Sequence, residues 1–257
     1  MNLGKPPIVQ AWIEFRFEHS AERSEWEASA NKFFDMFQDA YQEREVLAQH
    51  QMQIEKVEKN QRPRVVDERV QLVGIRSFTP SKSRCLQLLR DTLTCNFTRS
   101  ESTNYEGFDA LKAEAMAKFR AYVEFFRPTR LLQAAIHYVD LVRIPFDKGN
   151  VELGDYFTFT QDLPQATFGT TMGFNVQYTA RPPQSKDLLE VRLYNEQADP
   201  EGPTAQFRMD WRFIAYEGLS FADSEVGGRL SMGHDTLLSC FRNSFTEKGW
   251  ALFEERS

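Results

Sequence analysis

Apolar and polar positions alternate from Pro7 to Phe17, and the rest of the chain can be laid out around that stretch. Val9, Ala11, Ile13, Phe15 and Phe17 repeat at period two, the mark of a strand with one buried face. Gln10, Trp12, Glu14 and Arg16 occupy the opposite face. The pattern recurs half a chain later. Leu131–Asp140 lies over Ile8–Phe17 without a gap, with Gln10/Gln133, Ala11/Ala134 and Ile13/Ile136 identical and Phe15 over Tyr138. Leu132, Ala134, Ile136, Tyr138, Val142 and Ile144 form its apolar row, interrupted by Asp140. This internal repeat divides the chain into halves at 1–128 and 129–257.

Period-3.6 segments separate the strands. Trp26, Ala30, Phe33, Phe34, Phe37 and Tyr41 predict an amphipathic helix from Glu22 to Arg44. Phe108, Leu111, Ala115, Phe119, Tyr122, Val123 and Phe126 predict another, ended by Pro128. A third begins at Asp223 or Ser224 and carries Leu230, Leu237, Leu238, Phe241 and Phe245, with Lys248–Gly249 as its C-cap. Strands are expected at Met52–Glu58 (an edge), Val70–Phe78, Arg84–Arg90 and Thr92–Thr98 in the first half. Thr79–Lys82 makes a turn, and Asn60–Arg64 a loop. In the second half they are expected at Leu131–Ile144, Met172–Tyr178, Leu189–Tyr194 and Phe207–Phe213, with a short helix in the mixed stretch Asp147–Thr171. Each half therefore reads strand, helix, three or four strands, helix. The fold class is α+β: a duplicated unit forming one extended, mostly antiparallel sheet about eight strands wide, with long helices on one face and the halves fused into one compact unit.

The 257 residues, 41% hydrophobic with 22 phenylalanines, suffice for one large aromatic core or two fused halves. A net charge of −6 disfavours non-specific attraction to nucleic acid or anionic membrane without excluding a local basic site. Cys85, Cys95 and Cys240 show no metal or redox spacing and read as reduced thiols. The first residues carry no apolar signal core, and no apolar run is long enough to span a bilayer, so a soluble cytoplasmic protein is expected.

Two motifs carry a family resemblance. The opening KPPIVQAWIEFRF and the mid-chain Arg127–Pro145, RPTRLLQAAIHYVDLVRIP, with Tyr105, Gly107 and Phe108 ahead of the intervening helix, resemble a sporadically distributed bacterial family of about this length. Its members open with a PPIVEAxIEIRF-like strand and carry an RYxNxIxIP-like strand in mid-chain. Gln10 here replaces a Glu, His137 an Arg and Asp140 an Asn. The family has no assigned activity, so the resemblance carries over no catalytic residue. It implies a mobile or phage-defence-associated gene.

No catalytic motif stands out. His19, His50, His137 and His234 show no metal-ligand spacing, and no phosphate loop or nucleophile elbow occurs; Gly227–Gly228 reads as a helix-start irregularity. No metal or cofactor is expected. Parity instead collects Trp12, Glu14, Arg16, His137, Arg143, Arg192, Tyr194, Arg208 and Arg212 on the polar sheet face, with Glu190 and Asp210 neutralising only part of a basic patch. Arginine and aromatic side chains anchor interfaces, and arginine forks recognise phosphate or carboxylate. His137 is expected to be partly exposed there. Asp140 falls among core positions, bonded to the backbone or to Arg143 or Arg76, or serving as an acid of raised pKa. The reading is a non-enzymatic recognition protein that binds a protein, or alternatively a nucleic acid, through this face, with no membrane association. Competing readings are a sensor holding a phosphate-bearing ligand between the halves, and an enzyme built on Asp140 and His137.

Overall fold

A computed structural model describes residues 7–20, 23–54, 65–99, 105–145, 151–159, 175–182, 185–196, 204–216 and 219–253. Among the described residues nine strands form one antiparallel sheet. They are β1 (Ile8–Glu18), β2 (Glu43–Ile54), β3 (Val65–Phe78), β4 (Arg84–Leu89), β5 (Thr92–Thr98), β6 (Arg130–Pro145), β7 (Asn175–Ala180), β8 (Leu188–Glu196) and β9 (Thr204–Ala215). Their spatial order is β2-β3-β4-β5-β1-β6-β9-β8-β7. Four α-helices accompany them among the described residues: α1 (Arg23–Asp35), α2 (Phe108–Phe126), α3 (Asp223–Asn243) and α4 (Glu247–Trp250).

The two strands of the sequence repeat lie side by side at the middle of the sheet. β1 and β6 run antiparallel, and Ile13 stands opposite Ile136. Ala11, Ile13, Phe15 and Phe17 are buried, as the alternation requires. The α2 rings pack on that row, Phe119 lying 4.8 Å from Phe15 and Tyr122 4.3 Å from Phe17. Burying each of these phenylalanines contributes about 1.5–3 kcal/mol. Phe33 of α1 meets Tyr122 and Phe126 of α2. α2 and α3 touch through Phe108 stacked on His234 at 4.1 Å and through Lys112 Nζ donating to Ser231 Oγ at 2.6 Å.

Gly233 lets α3 lie close to the sheet. A Cβ there would sit 2.5 Å from Phe213 Cδ1 and 3.1 Å from Ile136 Cγ2. Gly233→Ala must push the helix off the strands or tilt the Phe213 ring. We expect a loss of about 1–3 kcal/mol in chemical denaturation; a variant as stable as the wild type would show that the contact yields freely.

Several elements depart from the sequence pattern. α1 stops at Asp35 rather than continuing to Arg44. Asp35 and Asp39 are poor helix-interior residues, and Arg44 reaches back to Asp35 Oδ1 at 3.0 Å. Successive turns still bring Tyr41 into the core. β2 begins at Glu43, nine residues before the expected edge strand at Met52, of which 55–58 lie outside the described residues. β3 starts at Val65; the expected loop at 60–64 lies outside the described residues. The second half has one turn of 3-10 helix at Leu153–Asp155, and 160–174 is not described, so the start of the expected strand at Met172 is untested. Lys248–Gly249 lies inside α4, capped by Thr246, and not at the end of α3.

Two bulges account for displaced parity. Leu131 is buried opposite Phe17 and Leu132 is only partly covered, because the β1–β6 register shifts after Arg16. The β2–β3 register shifts between Leu47 and Ala48, so Val46 faces Ile75 while Ala48 faces Leu72, and Val73 is the extra residue.

Candidate functional site

Cross-strand register places the predicted surface residues on common rows. Asn96, Trp12, His137, Arg212, Glu190 and Thr179 are successive neighbours across β5, β1, β6, β9, β8 and β7. Tyr194 stands opposite Arg208, and Arg192 opposite Asp210. Arg16 and Arg143 lie farther out along β1 and β6, in opposite directions from this row, and both are exposed.

Trp12 stands against His137 with ring centroids 4.4 Å apart and planes 12° from parallel. Arg212 Nε donates to His137 Nε2 at 3.2 Å, which leaves the neutral ring's proton on Nδ1. Arg212 is also shared between Glu190 at 3.4 Å and Glu14 at 3.6 Å, while Gln133 donates to Glu14 at 3.0 Å. His137 is therefore not a partly exposed sheet histidine: it is 8% exposed, covered by the indole and the guanidinium. Burial, helped by the Arg212 charge, lowers its pKa to about 3, so at neutral pH it accepts a hydrogen bond and carries no charge. The middle of the face is likewise buried at Ala135, Val139 and Ile214. Trp12 remains half-buried, and Arg192 is exposed.

The arginines do not make the basic patch expected from parity. Arg16 pairs with Asp91 at 3.1 Å, Arg208 with Asp210 at 2.8 Å, and Arg212 with Glu14 and Glu190. Glu196 adds its field at Arg208. Five carboxylates on the face thus match its five arginines in number but attend three of them, Arg16, Arg208 and Arg212; Asp91 reaches the face from the β4–β5 turn, and Glu196 shares the parity of Arg192. Arg192 donates instead to Asn175 Oδ1 at 3.0 Å and lies over Tyr194 at 4.6 Å. Arg143 has no ion pair among the described residues.

Asp140 is buried as predicted, at 5% exposed, but its partner is neither Arg143 nor Arg76. Trp211 Nε1 donates to its Oδ2 at 2.8 Å from the neighbouring strand, while Arg76 pairs with Glu45. Burial raises the Asp140 pKa to about 7. Asp140 and His137 stand on opposite parities of β6, so they do not form a common catalytic pair. On the helix side lies a pair the sequence reading missed. Tyr138 Oη is 2.9 Å from His234 Nδ1, and the buried Tyr105 hydroxyl lies beside that of Tyr138. The signal was present, since a tyrosine on the core row needs a partner for its hydroxyl.

The halves meet through the continuous β1–β6 ladder and the α2–α3 contact, where Phe108 and His234 fill the space. A narrow cleft of only about 10 Å³ lies instead within the first half, beside Arg84, Tyr105 and Gly107. No cluster of three metal-ligating side chains occurs among the described residues, and no described helix is long and apolar enough to cross a membrane. The three cysteines are free. Burial raises Cys85 to about 11 and Cys95 to about 12, so neither is a thiolate at neutral pH. No protein-family model matches the chain, and no curated protein matches its sequence.

Proposed function

We propose that this chain is a non-enzymatic recognition protein whose polar sheet face binds a protein partner. The observation that carries the reading is the half-buried Trp12, fixed against His137, on a face where Arg192 and Arg143 remain exposed. An indole held in one orientation loses little entropy on docking, and surrounding polar groups can serve as the rim of an interface. Paired charges favour a protein of mixed charge over a polyanion such as nucleic acid. We further propose that the scaffold is a duplicated unit. In its support, β5-β1 mirrors β9-β6 about the centre of the sheet, and the repeat-equivalent Ile13 and Ile136 face each other there. On the family resemblance we assign the protein to the bacterial cytoplasm and to mobile or phage-defence-associated loci.

The test is partner capture by the purified chain and by a variant carrying Arg192→Glu and Arg208→Glu. The variant should lose the partner captured by the wild type while keeping the wild-type circular dichroism and melting temperature. Wild-type capture should weaken as salt rises. Undiminished capture by the double variant would assign the face to the scaffold.

A further inference from the structure

Arg192 and Arg208 differ from the other arginines of the face in lying over one shared aromatic ring, that of Tyr194. Arg192 uses Nε on Asn175, and Arg208 uses Nε on Asp210. The terminal Nη groups of both lack a hydrogen-bond partner among the described residues. The two guanidinium groups converge on one ring, 4.6 and 6.0 Å from the Tyr194 centroid. The Tyr194 hydroxyl donates to Asp210 Oδ2 at 3.3 Å, which ties the ring to the carboxylate that also holds Arg208.

We infer that Arg192, Tyr194 and Arg208 form a subsite for a single phosphoryl group, borne by a phosphorylated side chain of the protein partner. This rests on the sheet-face reading and adds the partner's chemistry to it. Two open forks offer more donors than the two oxygens of a carboxylate can use. A phosphomonoester supplies three terminal oxygens and nearly two negative charges. Cation–π contact with Tyr194 holds both forks near one place before the ligand arrives. The surrounding charge selects the source. Glu190, Glu196 and Asp210 lie on the same parity of β8 and β9, so a nucleic-acid backbone tracking across the face would meet carboxylates at successive phosphates. An isolated phosphoryl group meets the two guanidinium groups.

The full chain would be titrated with a glycine–serine peptide bearing one phosphoserine, with its unphosphorylated and glutamate counterparts, and with oligouridylate. The phosphopeptide should bind about tenfold more tightly than the glutamate peptide at low salt. Arg192→Ala with Arg208→Ala should abolish the preference. Arg192→Lys, which keeps the charge and loses the planar fork, should retain only part of it. Asp210→Asn, which removes the competing carboxylate, should tighten phosphopeptide binding. Equal binding of the phosphorylated and unphosphorylated peptides, or a preference that survives the double variant, would overturn the subsite. Tighter binding of oligouridylate would overturn the protein-borne source. The two readings fail separately. A null titration, with partner capture still lost in Trp12→Ala, removes the subsite and keeps the face. A clear phosphate preference, with capture indifferent to Trp12→Ala, keeps the subsite and removes the face.

Discussion

Asp140→Asn and His137→Gln should tilt the pH dependence of stability in opposite directions. The two groups lie on opposite parities of β6, both almost wholly buried. Folded Asp140 keeps its proton up to about pH 7, whereas in the unfolded chain it ionises near 3.8. Between those values the folded chain binds the extra proton, so this group's contribution is fully present in acid and is lost as pH rises through about 7. His137 works the other way. The unfolded ring takes up a proton near 6.5, and the folded ring resists until about 3. Its contribution is present above pH 6.5 and is lost as pH falls toward 3. In the wild type the two slopes oppose each other over roughly pH 4 to 6.5. Asp140→Asn leaves His137 uncompensated, so stability should rise with pH more steeply than in the wild type, by about 1.4 kcal/mol per pH unit. His137→Gln leaves Asp140 uncompensated and should shift the slope by about as much in the opposite sense. His19 and His234 are also held below their ordinary value, first by burial, and act alike in all three proteins. Chemical denaturation at several pH values within this window reads the slopes directly. Three parallel profiles would show that neither group is held in its unusual protonation state.

Pattern carried furthest where one face of a strand is buried and the other is not. β9 alternates cleanly because it lies between two strands, its Phe213 row meets α3, and its other face carries arginine. An edge strand with Glu, Arg and Gln along it has little alternation to read, so the pattern locates β2 nine residues late. The helical pattern runs past the end of α1 because Phe37 and Tyr41 keep helical spacing although turns bring them inward. A bulge is a one-residue event, so Leu131 and Leu132 exchange roles without disturbing composition or period. The same limit governs the site. Parity placed Trp12, Arg192 and Tyr194 on one face, yet ion pairing depends on register between strands distant in sequence. Asp91 could not be assigned to Arg16, or Trp211 to Asp140, until that register was known. Tyr138 and His234 are 96 positions apart, and no local pattern joins them.

Arg229→Met should cost about 3–5 kcal/mol, far more than its place on a partly exposed helix face suggests. In sequence Arg229 merely follows two glycines. In the fold those glycines lie within α3, and Arg229 Nη1 donates to Asp187 Oδ2 at 3.0 Å. Asp187 precedes β8, and its side chain is only 1% exposed. The ion pair therefore ties α3 to the start of the strand that carries Arg192 and Tyr194. Removing the guanidinium strands a carboxylate in a site that water barely reaches, and that uncompensated charge dominates the loss. Replacing both partners separates this from simple packing. Arg229→Met combined with Asp187→Leu removes the charge together with its counterion and should recover most of the stability, giving a large coupling energy in a double-mutant cycle. If Arg229→Met stays within about 0.5 kcal/mol of the wild type in chemical denaturation, Asp187 has another way to hold its charge and the link between α3 and β8 is incidental. If the loss appears only in the single variant, the uncompensated carboxylate is its cause, and the Arg229 guanidinium is what lets Asp187 stay buried between α3 and the start of β8.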